Sequence, residues 1–385
     1  MTNFSRSTRS LRSSGPRRCA SLVIVGASAR AAAQSAIRAG YEPWCVDLFA
    51  DRDLQAIAPV RRCPSHAYPG ALVELIADGP PGAPVLLTGA LENYPQVLRS
   101  IEARRPLLGL KARQIERVRD PALWAARTVP HRGLVKQVRG SNGSGIRPWD
   151  PAEPLGPGEY VQAFAPGTSI SAVFQGKARG VGVPGVGVPG VRMVGVTHQI
   201  VGDPALGARP FQYAGSIGPI RLNPTAHERL FRIGQEIAEP HGLRGLFGID
   251  AILDGDTVTA VEINPRYTAS MEVLERATNG SVLQGRCDPP DASDPRAPEP
   301  PCWAKAYVYA KEDAIVGDLY EHLGEQDVAD VPHPGTCIRA GHPVCTVLAR
   351  CCGPDCVGRL HALAHRVYTR GLHAIARNAV PLPGG

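Results

Sequence analysis

The sequence predicts a chain of α/β and α+β parts: a doubly wound N-terminal domain, a hairpin-rich centre and a small β-rich C-terminal cap. Three observations predict it. Ser21 to Gly26 is a continuous apolar run closed by glycine, then an alanine-rich stretch and a second short strand, the alternation of a parallel sheet. Two apolar runs, Leu246 to Leu253 and Thr257 to Ile263, flank Asp254-Gly255-Asp256, a hairpin signal. Beyond residue 302 the chain reads as β-rich to about Val347.

Taken in order, residues 1–19 form a basic Ser- and Arg-rich tail, expected to be disordered and without the apolar core of a secretory signal. Residues 20–105 hold the α/β domain. Its helices are Ala27 to Gly40 and Tyr94 to Ala103, and its strands end at Gly26, Asp47 and Thr88. The turn Gly26-Ala-Ser28-Ala-Arg30 has one glycine where a dinucleotide fingerprint has three, so it reads as a tight strand-to-helix turn. Residues 106–280 hold the hairpin-rich part, with a helix from Ile115 to Ala126 and strands at Gly133 to Val138, Glu159 to Phe164 and Ser169 to Phe174. Within it, 176–192 carries a nearly repeated Val-Gly-Val-Pro-Gly, read as a flexible inserted loop between two strands. An amphipathic helix follows from Ala226 to His241. Residues 281–301 read as a Pro- and Asp-rich linker, and 302–385 as the cap, finishing with a helix from Arg359 to Arg377.

Composition narrows the function. The 385 residues carry a net charge of +7, which favours an anionic partner. Arginine is spread along the chain without interleaved stacking aromatics, so a nucleotide or acidic metabolite fits better than nucleic acid. No apolar run approaches the ~20 residues of a membrane span. A cytoplasmic protein is expected, and its ten cysteines give no reason to expect a disulfide framework.

Two clusters carry chemistry. In the first, Asp250 lies on one hairpin strand, with Glu262, Asn264 and Arg266 on or just after the other. Glu262 and Asn264 are two apart and share a face, where three oxygen donors suit a hard cation such as Mg²⁺. In the second, Lys136 precedes the loop Gly140-Ser141-Asn-Gly143-Ser-Gly145, whose backbone N–H groups can approach a phosphate.

In this order the segments resemble the ATP-grasp family over roughly residues 20 to 280, most specifically at Glu262-Ile-Asn-Pro-Arg266. The resemblance implies an N-terminal pre-ATP-grasp domain, two ATP-holding subdomains and an ADP-forming carbon–nitrogen ligase acting through an acyl phosphate. It implies that Lys136 and the Gly140 to Gly145 loop contact the ATP phosphates. Gln162, Ala163, Phe164 and Ala165 would hold adenine, with Ser169 at the ribose position. Asp250, Glu262 and Asn264 would bind two Mg²⁺, with Mn²⁺ as a substitute, and Arg266 would steady the transferred phosphate. The expected partners are a small carboxylate and an amine, with a homodimer expected from the family and neither nucleic acid nor membrane involved.

Within the family, Val261 to Thr268, Val196 to Gln199 and Phe211 to Ser216 are similar to the tyramine–glutamate ligase subgroup of methanofuran synthesis, associated with one-carbon carriers and cofactor biosynthesis. Three features depart from the family pattern: Ser169 replaces a common Glu, Ala163 replaces a larger hinge residue, and residues 124–134 are short for the cover over ATP. A non-catalytic ATP-binding homologue and a carboxyphosphate-forming carboxylase are the alternatives.

Other residues have two readings. His198 and Gln199 both face the expected cleft, as substrate contacts or packing, and Tyr213, Ser216 and Tyr267 are read in the same two ways. Arg119-Asp120-Pro121 reads as a phosphate contact or as a helix start. Cys351 to Cys356, with His342 and Cys345, reads as a zinc knuckle or, since its spacing matches no common ligand pattern, as buried or loop thiols.

Overall fold

The computed structural model describes residues 20–126, 128–176, 190–284, 301–351 and 355–375. The expected 1–19 tail, most of the 176–192 insertion and most of the 281–301 linker lie outside them. The N-terminal part runs β1 (Ala20–Gly26), α1 (Arg30–Arg38), β2 (Tyr41–Asp47), α2 (Arg52–Gln55), β3 (Val60–Arg62), α3 (Leu72–Leu75), β4 (Val85–Leu87) and α4 (Pro95–Arg104). Its four parallel strands are ordered β3-β2-β1-β4, with the apolar run of β1 at the centre. The first helix starts three residues later than the alanine run does, because Ala27 to Ala29 form the turn and the Ala29 amide donates to Asp47 Oδ2 at 2.7 Å. A Cβ at Gly26 would collide with Thr88, so this glycine serves close packing, in keeping with the tight-turn reading.

The centre contains α5 (Ala112–Val118), β5 (Gly133–Gln137), β6 (Arg147–Pro148), β7 (Glu159–Ala163), β8 (Thr168–Gly176), β9 (Val191–Val201), β10 (Tyr213–Gly218), α6 (Pro224–His241), β11 (Gly245–Asp254), β12 (Thr257–Asn264) and α7 (Ala269–Thr278). The helix expected over 115–126 is instead α5 followed by one 3-10 turn, Pro121–Leu123. Pro121 lacks the N–H that would continue the first helix, and Asp120 caps the new turn by accepting from the Ala122 amide. Strands β6-β5-β7 form a small antiparallel cover.

The C-terminal region supplies β13 (Cys302–Tyr309), β14 (Ala314–Val316), β15 (Val328–Ala329), β16 (Cys337–Ile338), β17 (Pro343–Cys351), α8 (Cys356–Arg366) and β18 (Leu372–Ala374). Three of these strands extend the central sheet, giving eight antiparallel strands ordered β12-β11-β8-β9-β10-β13-β17-β15. The last strand of that sheet runs on to Cys351, past the expected end at Val347. The final helix is shorter than expected: it stops at Arg366, and after one wide turn Leu372–Ala374 pairs with β14. Cys351 and Cys356 are joined as a disulfide, contrary to the thiol reading, and Cys345 is buried on β17. No helix among the described residues is long and apolar enough to cross a membrane.

One core packs Val23, Val25 and Leu98 of the N-terminal domain against Phe174, Phe247 and Ile249 of the central sheet, with the two phenylalanine rings stacked at 5.4 Å. On the other side, α1 meets α7 through a buried charge cluster. Arg30 donates to both carboxylate oxygens of Glu272 at 2.7 and 3.0 Å and to Asp330 at 2.8 Å, while Lys305 Nζ reaches Glu272 at 2.7 Å.

Candidate active site

The hairpin β11–β12 closes with Asp254 opposite Thr257 and Ala251 opposite Ala260. Continued regularly, that register would set Asp250 opposite Val261 and turn Glu262 to the other face. A bulge between Asp250 and Ala251 shifts the pairing by one residue, so Asp250 opposes Glu262 and Gly248 opposes Asn264. Opposed residues share a face, and this irregularity therefore brings the three oxygen-bearing side chains together.

Their contacts are specific. Asn264 Nδ2 donates to Asp250 Oδ2 at 2.9 Å, and Gln199 Nε2 donates to Asp250 Oδ1 at 3.1 Å. Burial, with the negative charge of Glu262 beside it, pushes the Asp250 carboxyl up to about 6. Burial acts on Glu262 in the same sense, but Arg119, Lys136 and Arg266 outweigh it and hold that carboxyl below its usual value. Arg119 Nη1 reaches Glu262 Oε1 at 2.6 Å, and the Glu262 side chain stays 36% exposed to the cleft. Two carboxylates and a carboxamide on one face, one open to solvent, fit a hard divalent cation.

Lys136 projects from β5 toward these acids. Desolvation lowers its pKa, and the charges of Glu262 and Asp250 oppose that shift. Arg266 is held by Glu92 at 2.9 and 3.0 Å and donates to Asn264 Oδ1 at 3.1 Å. Arg119 also donates to Asn93 Oδ1 at 2.7 Å, and Asn93 Nδ2 donates to Gly140 O at 2.8 Å. A continuous chain of bonds thus runs from Glu262 through Arg119 and Asn93 to the glycine loop. Of the two readings of Arg119-Asp120-Pro121 the structure bears out the helix start, since Asp120 caps a 3-10 turn, and it sets Arg119 at the acidic face.

The glycine loop docks across the cleft. Asn142 Nδ2 donates to Tyr309 Oη at 2.7 Å, and the Tyr213 amide donates to Asn142 O at 3.0 Å. Gly143 has φ +72°, and a Cβ there would strike the Phe211 carbonyl. Ser141 and Gly145 are exposed on the loop.

The remaining expected residues are spread over both sides of the cleft. Gln162 is buried, and its Nε2 donates to Val261 O at 3.0 Å and Trp124 O at 3.3 Å, so its side chain braces the cover against the bulge. Ala163 is exposed and Ala165 half-buried, and Phe164 lies under the Arg132 guanidinium at 4.4 Å. Ser169 shares a face with Ser171, which is opposite Asp250 and hydrogen-bonds to it.

Adjacent strand residues point to opposite faces. Gln199 therefore reaches Asp250, whereas His198, paired with Ile170, turns away, a correction to the expectation that both face the cleft. Tyr213 and Ser216 hydrogen-bond to each other at 2.7 Å near Asp250. Tyr267 is buried with its hydroxyl on Glu275 at 2.9 Å, which makes it a packing residue. Glu92 and Asn93 were not expected at the site. They lie in a 3-10 turn after β4, where no periodic pattern marks them.

Comparisons with known proteins fit this geometry. Residues 111–270 match the family model described as an ATP-grasp domain, and the fold is an ATP-grasp fold. The chain is 25% identical over 139 residues to an uncharacterized protein of Methanocaldococcus jannaschii, covering 36% of this chain and 34% of that protein. It is 36% identical over 76 residues to the formate-dependent phosphoribosylglycinamide formyltransferase of Methylococcus capsulatus, covering 19% of each. The matched segments span only about a third and a fifth of those proteins.

Among solved structures, an L-amino acid ligase from Bacillus licheniformis aligns with TM-score 0.64 at 15% identity, covering 94% of this chain and 100% of that one. The biotin carboxylase domain of Hydrogenobacter thermophilus 2-oxoglutarate carboxylase, bound to ADP, magnesium and bicarbonate, aligns with TM-score 0.64 at 14% identity, covering 92% and 91%. The N5-carboxyaminoimidazole synthetase of Staphylococcus aureus, complexed with ADP, aligns with TM-score 0.62 at 13% identity, covering 90% and 97%. At such identities the likeness is one of fold. The ATP-grasp family model covers less than half of the chain, so what these comparisons establish for the whole of it is the fold.

Proposed function

We propose that this chain is an ATP-dependent, ADP-forming carboxylate–amine ligase. The observation that carries the reading is the single oxygen-rich face of Asp250, Glu262 and Asn264, ringed by Lys136, Arg119 and Arg266 beneath a glycine loop. In this reading Lys136 and the loop residues Gly140, Ser141, Gly143 and Gly145 hold the ATP phosphates. The segment Gln162 to Ala165, with Ser169, lies along the adenosine. Asp250, Glu262 and Asn264 hold two Mg²⁺, or Mn²⁺ in their place. Bound there, the ions supply charge neutralisation and orientation of the phosphates.

The substrate carboxylate oxygen attacks the γ-phosphorus, ADP leaves, and an acyl phosphate results. The amine nitrogen then attacks the acyl carbon, expelling phosphate and losing a proton to solvent. Lys136, Arg119 and Arg266 stabilise the negative charge that develops on the transferred group. The tyramine–glutamate ligase likeness favours glutamate as the carboxylate and a biosynthetic amine as partner. A homodimer in the cytoplasm is the expected setting.

The test is Mg²⁺-dependent ADP release, screened over amino-acid and amine pairs, with Glu262→Ala alongside. Release requiring both a carboxylate and an amine, and lost in the variant, supports the ligase. Release that follows bicarbonate instead makes the chain a carboxyphosphate-forming carboxylase. Tight ATP binding without turnover makes it a binding protein.

A further inference from the structure

Away from the cleft, the fold gathers three cysteines that lie apart in the chain. Cys302 opens β13 and opposes Cys351 at the end of β17, and Cys356 is the first residue of α8. Their Sγ atoms lie within 4.8 Å of one another, with Cys351 and Cys356 buried and Cys302 half-buried. Directly opposed residues of an antiparallel pair share a face, so sheet register alone unites Cys302 with Cys351. The turn into α8 then brings back Cys356, with 5.3 Å between the Cα atoms of Cys351 and Cys356.

We infer that in the dithiol form Cys302, Cys351 and Cys356 bind one Zn²⁺ as thiolates. Three features carry this. A tetrahedral ion with Zn–S bonds of about 2.3 Å sets its sulfurs roughly 3.8 Å apart, a spacing the cluster accommodates. Thiolates select a soft or borderline ion over the hard cation that suits the oxygen face of the cleft. Cys356 is the first residue of an 11-residue helix, whose dipole favours a thiolate; Asp355 caps the Gly358 amide at that end, and Arg359, bonded to Arg350 O, adds positive charge beside it.

The triad supplies three of the four ligands of a tetrahedral ion, and its role is to pin α8 to the sheet. The seven-residue step along β13 from Cys302 to Tyr309, which meets the glycine loop, is roughly 23 Å at a strand's rise per residue. The zinc site is therefore independent of the ligase reading.

In this structure Cys351 and Cys356 form a disulfide. Opening it takes two electrons and two protons from a dithiol reductant, which becomes its own cyclic disulfide. The thiols then release their protons to solvent as the ion binds.

The test uses the full chain, reduced with a dithiol, loaded with Zn²⁺, freed of excess metal by gel filtration and analysed by mass spectrometry for metal content. The expected result is one zinc per chain, with retention weakened at least about tenfold by Cys302→Ser. Cobalt substitution of the wild type needs no variant to fold and is expected to give a thiolate-to-cobalt charge-transfer band with the intensity of three thiolates. Zinc-free reduced protein overturns the inference. So does wild-type retention in Cys302→Ser, or a cobalt band too weak for three thiolates.

Discussion

Two clusters of charge lie along one face of the central sheet, and they hold Glu272 and Asp250 in opposite ways. At the α1–α7 junction Glu272 is 1% exposed, yet Arg30, Lys305 and Arg276 outweigh its burial and hold its pKa well below normal. Both its oxygens accept from cations directly. At the cleft Asp250 accepts only from neutral amides and a hydroxyl, and its carboxyl is raised to about 6. Burial acts on both in the same direction; the number of cations in direct contact decides the sign. The first cluster is saturated and serves the fold. The second is only partly paired: a raised carboxyl stands near a desolvated lysine, and among the described residues Arg119 Nε has no hydrogen-bond partner.

The contrast makes three predictions, from the largest effect to the smallest. Glu272→Ala strands Arg30 and Lys305 without their shared counter-charge and is expected to cost about 3–5 kcal/mol of stability, read from urea unfolding. An unchanged unfolding midpoint would break the claim that this cluster holds the fold.

Lys136→Ala is expected to do the reverse. On the proposed function, ADP release falls about 10²–10³-fold, or about 2.7–4 kcal/mol, while thermal unfolding stays at or above the wild-type midpoint, since a desolvated amine is removed. A stability loss comparable to that of Glu272→Ala would erase the distinction between the two clusters.

The third prediction concerns pH. The folded pKa of Asp250 lies above its unfolded value, so its contribution to stability is greatest in acid and declines as pH rises through the window from 3.8 to about 6. Glu272, with its pKa depressed, contributes above 4.5, and that contribution is lost on acidification. On the proposed function a cation held by Asp250 displaces its proton, so the affinity for Mg²⁺-nucleotide is expected to drop about tenfold per unit below pH 6. Calorimetric titration across that range checks it, and Asp250→Asn should flatten the profile.

Much of the cleft was legible in the sequence. Glu262-Ile-Asn264 has the two-residue spacing of one strand face, and Asp-Gly marks the turn that folds Asp250 back toward it. What could not be read is the bulge. A regular hairpin with the same turn would send Glu262 to the far face, and one extra residue at Val261 decides the matter. The resemblance sets Gln162 among the adenine contacts, and nothing local shows that its side-chain amide also braces the bulge through Val261 O and Trp124 O. His198 was given a cleft-facing role that strand alternation denies once the register of Gln199 is known. Glu92 and Asn93 were invisible for a different reason. They orient Arg266 and Arg119 from a single short turn, and only the tertiary fold brings that turn to β12.

The docked glycine loop has a kinetic consequence. Asn142 joins it to Tyr309 and Tyr213, and Gly143 lies flush against Phe211, so the entrance is already latched. If nucleotide enters beneath this loop, it must wait for the latch to lift. Its association rate would then count openings rather than collisions, saturating with concentration where a simple encounter would keep rising.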